Sequence, residues 1–350
     1  MTPTLAPERE WRSSISDTDD DKRARAKASR ERQRLSKPFE MPDLSSPGEL
    51  LSAEETAFFV ENGFLIKPAL LDPYRLEETM ALIWDHAIEV LPRRPGTSWT
   101  LDRGDRSTWF DPQWDKMPPH PDSGPFQGRQ PLEYYGPIVK MHDIGTDPRL
   151  LSLFPNDPGV RAIASALLGD DLQETRRTRG IYAVFPSRSS QSEADLRGSM
   201  LGPHADQVCQ QLNACAYLDD VAPRNAGFTV YPGSHEIMFQ QHELEANWSP
   251  RDTYRNTLAR IAEEIEPLEL CAPKGSVVFW HGRTVHSVGL HTGTDIRWAL
   301  FADFARKGAV RSDDEHRKLL QYEGFKDTKL VVDDHTVTDD MWRHWRVGGG

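Results

Sequence analysis

Histidine and aspartate two positions apart, His204 and Asp206 in the run GPHADQ, have the types and the spacing that metal chemistry needs. In an extended chain, side chains at i and i+2 lie on one face, so both can reach the same ion. A third donor has to come from elsewhere, and GSVVFWHGRTVHSVGLHTGTDIRW offers His281, His286 and His291. Two histidines and one carboxylate on one octahedral face leave positions open for non-haem Fe(II) oxygen chemistry, whereas zinc more often takes four ligands. His-x-Asp alone is a weak signal, and the chain carries it again at His120 and Asp122. Prolines at 118, 119 and 121 remove backbone donors there and discourage a β ladder, so that copy is set aside.

The elements that must position these residues fall into two halves. Residues 1–48 read as a polar tail: an acidic stretch is followed by Lys22, Arg23, Arg25, Lys27, Arg30, Arg32, Arg34 and Lys37 among few apolar residues, a composition that stays solvated. The folded domain is expected over residues 49–350. In LSAEETAFFVENGF, Ser52 with Glu55 three residues on makes a capping box ahead of an apolar stripe, and Gly63 closes that helix. FLIKPAL reads as a short strand and DPYRLEETMALIWDHAIEVL as a second amphipathic helix, broken by Pro92, so residues 49–92 form a helical scaffold. Residues 93–137 show no sustained period but contain Trp99, Trp109, Phe110 and Trp114, and a long aromatic loop of this kind reads as a lid or pocket wall. Arg103 and Arg106 beside those aromatics suit an anionic substrate group. DPRLLSLFPNDPGVRAIASALLGDDL supplies further helix ending at Gly169.

From there the pattern becomes β. GIYAVF, QLNACAYL, GFTVY, SVVFW and IRWALFADF are short, β-rich and bounded by Gly, Pro, Asp and Asn, which places a β core over about residues 138–306. A polar, partly helical insertion, EIMFQQHELEANWSPRDTYRNTLARIAEEIEPL, lies among these strands. Residues 307–350 are a C-terminal extension with an aromatic stop, MWRHWRV.

Composition bounds the function classes. A formal net charge of -12 argues against general nucleic-acid binding, which needs a basic face. A mean hydropathy of -0.62 and the lack of an apolar run near the length of a bilayer span argue against a membrane protein. The N-terminus has no apolar signal core, so a cytoplasmic location is expected. Cys209, Cys215 and Cys271 are odd in number and lack CxxC spacing, which favours reduced thiols over a disulfide framework or a zinc knot. Composition gives no oligomeric state.

Four motifs in order over about residues 50–305 resemble the phytanoyl-CoA dioxygenase family of Fe(II)- and 2-oxoglutarate-dependent oxygenases. LSAEETAFFVENGFLIKPALLD resembles that family's opening helix and strand, HADQ its metal motif, NAGFTVYPGSH its glycine and P-G-S-H signature, and GSVVFWHGRTVHSVGLHTGTDIRWAL its closing motif. The resemblance implies a mainly β fold with flanking helices, an α+β chain built on a double-stranded β-helix. It also implies His204, Asp206 and His286 as iron ligands and Arg297 as the anchor of the 2-oxoglutarate carboxylate. A guanidinium suits that task because it forms a bidentate, charge-assisted pair with a carboxylate. The segment GPIVKMHDI resembles one in which a lysine reaches the co-substrate, which nominates Lys140; the family's serine or threonine near the ligand histidine nominates Ser287, offset by its position. Tyr182 in GIYAVF is a further candidate for facing the co-substrate.

What the resemblance implies about chemistry is oxidative decarboxylation of 2-oxoglutarate to succinate and CO2, with O2 consumed and a hydrogen abstracted from a small-molecule substrate. Halogenating relatives lack the carboxylate that Asp206 supplies, so hydroxylation or another C–H oxidation is the expected outcome. His281 is expected to be a packed or supporting histidine, His235 to order its turn, and His291 to have no catalytic part. The competing expectations are a direct acyl-CoA hydroxylase and a metal-containing ligand-binding or sensor module of the same fold that does not turn over.

Overall fold

A computed structural model of the 350-residue chain describes residues 35–91, 100–110, 132–135, 138–186, 202–206, 212–239, 252–307, 341–342 and 345–348. The chain enters the fold earlier than its composition suggests. Strand β1 (Lys37–Phe39) lies within the segment read as polar tail, and it pairs in parallel with β8 (Leu268–Leu270). The reason is local: Phe39 reaches Phe58 and Phe64 with ring centroids 6.3 Å and 5.7 Å away, so one aromatic side chain ties down an otherwise charged stretch.

Helix α1 (Ala53–Asn62) starts as the capping box requires. Ser52 Oγ accepts from the Glu55 N–H, and the Glu55 carboxylate accepts from the Ser52 N–H. It stops at Gly63, whose φ of 77° is the left-handed conformation that glycine adopts without a Cβ penalty. A Cβ there would also lie 2.5 Å from His235 Nδ1. Strand β2 (Phe64–Lys67) follows, then α2 (Pro73–Val90), capped by Asp72 with proline in its first turn. Strands β3 (Leu132–Tyr135) and β4 (Ile138–Met141) precede α3 (Pro148–Leu153) and α4 (Pro158–Leu168). The β half holds β5 (Gly180–Val184), β6 (Leu212–Tyr217), β7 (Phe228–Val230), β9 (Val277–His281), β10 (His286–Val288) and β11 (Arg297–Phe304). Helices α5 (Ser234–Phe239) and α6 (Asp252–Glu264) fall in the polar insertion.

Among the described residues the strands form two sheets. The larger has the order β2-β9-β6-β11-β5-β4-β3 and the smaller β1-β8-β7-β10. Strand alternation divides the larger sheet cleanly. One side chain set, including Cys215, Tyr217, Val278, Trp280, Ala299 and Phe301, meets Phe228, Val230 and Leu270 of the smaller sheet in one apolar cluster between the sheets. The alternate set, including Val139, Ile181, Ala183, Ala214, Phe279, Trp298 and Leu300, packs against α2, α3 and α4 on the outer face. This sandwich with helices on its outer face is the double-stranded β-helix, and its interior is where a ligand cluster is shielded from water. No helix among the described residues is long and apolar enough to cross a membrane.

Two segments read as coil or extension contribute to the scaffold. Within 93–137, the described residues 100–110 lie against the outer face of the larger sheet. Leu101 and Trp109 join its core cluster, Trp84 of α2 sits 5.4 Å from Trp109 and 5.1 Å from Trp298, and Arg106 pairs with Asp295 at 2.6 Å. Residues 132–135 form the edge strand β3. At the other end of the chain, Trp345 stacks on His281 at 4.9 Å, and Trp342 and Trp345 approach Phe59 at 6.0 Å and 5.9 Å.

Candidate metal centre

His204 and His286 meet through the backbone. The two residues exchange both hydrogen bonds of an antiparallel pair, His204 N–H to His286 C=O at 3.0 Å and His286 N–H to His204 C=O at 2.8 Å. Directly opposed residues project to the same side, and the two imidazole centroids are 4.4 Å apart. Period-two alternation then brings Asp206 back to that side. Ligand atoms of His204, Asp206 and His286 all lie within 4.8 Å of one another.

The histidine tautomers are set by local carbonyls. His204 Nδ1–H donates to Gly202 C=O at 2.9 Å, and His286 Nδ1–H donates to Thr284 C=O at 2.9 Å. Each ring therefore presents its Nε2 lone pair to the shared centre. Burial, then the neighbouring His286, push His204 down to about 3, and burial likewise lowers His286. Both rings stay neutral, the form that ligates a cation. Burial opposes ionisation of Asp206, but Arg179, His286 and His204 outweigh it and hold the carboxyl well below the usual range. Phe228 at 5.0 Å and Trp280 at 5.6 Å wall the His286 ring with apolar surface.

These three donors fit a divalent transition metal: two neutral imidazoles and one anionic oxygen gathered on one side, with no fourth His, Cys, Asp or Glu in the group among the described residues. A structural zinc site would be closed by a fourth ligand.

Arg297 begins β11 on the same inward phase as Ala299 and Phe301 and is buried, 5% exposed. Its Nε donates to Ala226 C=O at 2.9 Å and its Nη1 to Tyr182 C=O at 3.2 Å, with no carboxylate in ion-pair range among the described residues. Burial lowers its pKa, the electrostatic sign of a cation short of a counter-charge. Lys140 and Tyr182 stand opposite each other on β4 and β5, with Lys140 Nζ 4.8 Å from the Tyr182 ring centre and that ring stacked on Phe301 at 4.3 Å. Tyr182 packs against the apolar cluster between the sheets, and Lys140, its register partner, stands on the same face.

Ser287 is not brought to the triad. It follows His286 on β10, opposite Thr229, and alternation turns its side chain away from the face that carries the His286 imidazole. It is buried there, 3% exposed. His281 projects to the outer face with Val277 and Phe279 and stacks on Trp345, as a packed histidine. His235 Nε2–H donates to Val60 C=O at 3.0 Å, and His291 bridges its own loop, donating from Nε2 to Asp295 C=O and accepting at Nδ1 from the Gly293 N–H. His120 and Asp122 lie outside the described residues.

Sequence reasoning missed the groups that hold Asp206. Arg179 Nη1 and Asn213 Nδ2 both donate to its Oδ2, each at 2.9 Å, and Arg179 forks onto Asp303 through Nε at 2.9 Å and Nη2 at 2.6 Å. A signal was available: Asp303 shares the phase of Arg297, Ala299 and Phe301 in IRWALFADF, so a charged side chain had to point inward.

A two-sheet β-helix whose interior presents two histidines and one carboxylate has the donor set that suits a non-haem iron centre of the facial-triad type. A family model described as "Phytanoyl-CoA dioxygenase (PhyH)" matches residues 148–299, which contain His204, Asp206, His286 and Arg297. A probable phytanoyl-CoA dioxygenase of Caenorhabditis elegans is 21% identical over 328 residues, covering 87% of this chain and 94% of that protein. Similar solved structures include the non-haem alpha-ketoglutarate-dependent epimerase SnoN from nogalamycin biosynthesis, with 20% identity and a TM-score of 0.42 over 75% of this chain and 84% of that one. EctD from S. alaskensis, solved with bound Fe, shows 16% identity and a TM-score of 0.43 over 78% of this chain and 83% of that one. Residues 148–299 of the chain are thus similar to the phytanoyl-CoA dioxygenase family.

Proposed function

We propose that this protein is an Fe(II)- and 2-oxoglutarate-dependent dioxygenase that oxidises a C–H bond of a small-molecule metabolite, releasing succinate and CO2. The observation that carries the reading is the pairing, inside one barrel, of a three-donor site with a buried guanidinium whose partners among the described residues are backbone carbonyls.

His204, Asp206 and His286 would hold the iron, and the rest of its coordination sphere is left to co-substrate and oxygen. With 2-oxoglutarate and O2, bound Fe(II) supplies the oxidising power for C–H cleavage. The chain's own residues bind, orient and exclude. Arg297 offers a rigid fork to the distal carboxylate of the keto acid, and supplying that anion also offsets the cost of burying the cation. Lys140, on the inner face beside Tyr182, adds a second positive charge to the same interior and favours a dianionic co-substrate. Phe228, Trp280 and Phe301 keep that interior dry, which strengthens each of these electrostatic contacts. Hydroxylation is the simplest outcome, because the carboxylate ligand is present.

The test is anaerobic addition of Fe(II) and then 2-oxoglutarate to metal-free protein, read by visible absorption. A weak charge-transfer band that disappears in His286→Ala supports the metal, the co-substrate and the site together. Bound iron with no band on 2-oxoglutarate addition sinks the co-substrate assignment. Succinate formation in air, even without the metabolite, separates turnover from a binding module that consumes no 2-oxoglutarate.

A further inference from the structure

The carboxylate of Asp206 is held more tightly than a bare metal ligand needs to be. Its Oδ2 accepts two hydrogen bonds at 2.9 Å, from Arg179 Nη1 and Asn213 Nδ2, while its Oδ1 faces His286 Nε2 at 3.7 Å. One oxygen is tied to the protein and the other is left on the side of the histidines. Arg179 is itself fixed at both ends. Its guanidinium forks onto Asp303, and its side chain is 8% exposed. Its backbone N–H donates to Phe301 C=O at 2.8 Å, and its carbonyl accepts from His142 Nδ1–H. The next residue, Gly180, has φ 94° and lies so close to β4 that a Cβ would sit 2.0 Å from Met141 C=O. Asp303 and Asn213 are register partners on β11 and β6, and Arg179 leads into β5 on the other side of β11, so the two donors and the Asp303 carboxylate converge from three neighbouring strands of one sheet.

We propose that Arg179, locked by Asp303, is the positioning residue of the metal centre: with Asn213 it fixes Asp206 as a one-oxygen ligand before any metal arrives. The inference rests on the proposed function's reading of His204, Asp206 and His286 as the metal site. It has a physical rival. A guanidinium beside a cation site repels the cation, so deleting Arg179 alone would change the local field by one charge and mix repulsion relieved with orientation lost. Because Asp303 balances Arg179, removing both leaves the net charge unchanged and isolates orientation.

The experiment titrates metal-free protein with Co(II), following bound metal by equilibrium dialysis and site geometry by visible absorption. It compares wild type, Arg179→Met/Asp303→Asn, Asp206→Ala, and the three substitutions combined. Outer partners of ligating groups are worth about 10- to 100-fold in metal affinity. The charge-balanced pair is expected to lose affinity in that range and to change the cobalt spectrum, while adding the pair to Asp206→Ala costs nothing further, since the effect runs through the missing carboxylate. Unchanged affinity in the folded pair overturns the proposal, as does the same fold-loss in the Asp206→Ala background. If the pair does not fold, Arg179→Lys keeps the charge but replaces three separate nitrogens in a planar fork by one, and a several-fold loss is expected; no loss overturns the proposal. Wild-type protein that binds no Co(II) fails earlier, at the metal site itself.

Discussion

At the residue scale, function depends on buried charges with specified partners. Arg297 is a cation whose hydrogen bonds among the described residues end on carbonyls, so its contribution should appear when an anion is bound. Arg297→Lys preserves charge and loses the fork; charge-assisted hydrogen bonds of about 1.5–3 kcal/mol predict a roughly 10- to 100-fold higher 2-oxoglutarate requirement, with Fe(II) affinity little changed. An unchanged requirement in titrations of the Fe(II)-loaded protein would point to another anchor. Asp206→Ala should abolish turnover, and Ser287→Ala should leave the 2-oxoglutarate requirement where it was, because that side chain lies on the other face of β10. His235 gives a pH prediction. Burial lowers it from 6.5 to about 4 in the folded chain, with Nδ1 left as the site of protonation. A depressed histidine is neutral in the folded state while the unfolded chain takes up a proton below 6.5, so its stabilising effect is complete above pH 6.5 and is lost as pH falls toward 4. The loss is about 3 kcal/mol from this group. Urea unfolding across that window should show a shallower pH dependence in His235→Gln; an identical slope would mean that the ring is already charged in the folded protein.

At the element scale, the sheets owe their order to a few contacts distant in sequence. β1 covers the edge of β8, and Phe39 packs on both Phe58 and Phe64, which themselves meet edge to face. Removing residues 1–45 takes β1 away, exposes that strand edge and lowers stability by about 2 kcal/mol relative to removal of residues 1–34, the order expected for losing one half-buried phenylalanine. Equal melting temperatures for the two truncations would show that β1 contributes nothing. Much of this scale is legible beforehand. The capping box of Ser52 and Glu55, the stop at Gly63, and the strands GIYAVF, QLNACAYL, SVVFW and IRWALFADF follow from spacing and composition. β1 was hidden because three residues inside a charged stretch carry no periodicity, and its partner lies more than two hundred positions away.

At the scale of the whole molecule, the C-terminal aromatics close the scaffold behind the site. Trp345 is 3% exposed, stacks on His281 and meets Phe59 of α1, while Trp342 also approaches His235. Trp345→Ala should cost about 3–5 kcal/mol, read as a lower denaturation midpoint, and yet leave Co(II) affinity of the folded fraction intact, because His281 faces away from His286. A loss of metal affinity in that variant would mean that the outer face and the triad are coupled through β9.

The sequence by itself determined the ligand types and the inward phase of the strands, because alternation with period two is written in the order of residues and needs no partner to be read. The i, i+2 spacing singled out His204 and Asp206, while the choice of His286 among three histidines and the nomination of Arg297 came from the resemblance of the closing motif. Only the tertiary structure decided which side chains complete the site. The antiparallel bridge between residues 204 and 286 brings the two imidazoles together, and the register of β11 on β6 sets Asp303 beside Asn213 within reach of Arg179. Those pairings cross long stretches of chain, and hydrogen bonds between distant strands leave no local pattern from which they could be read.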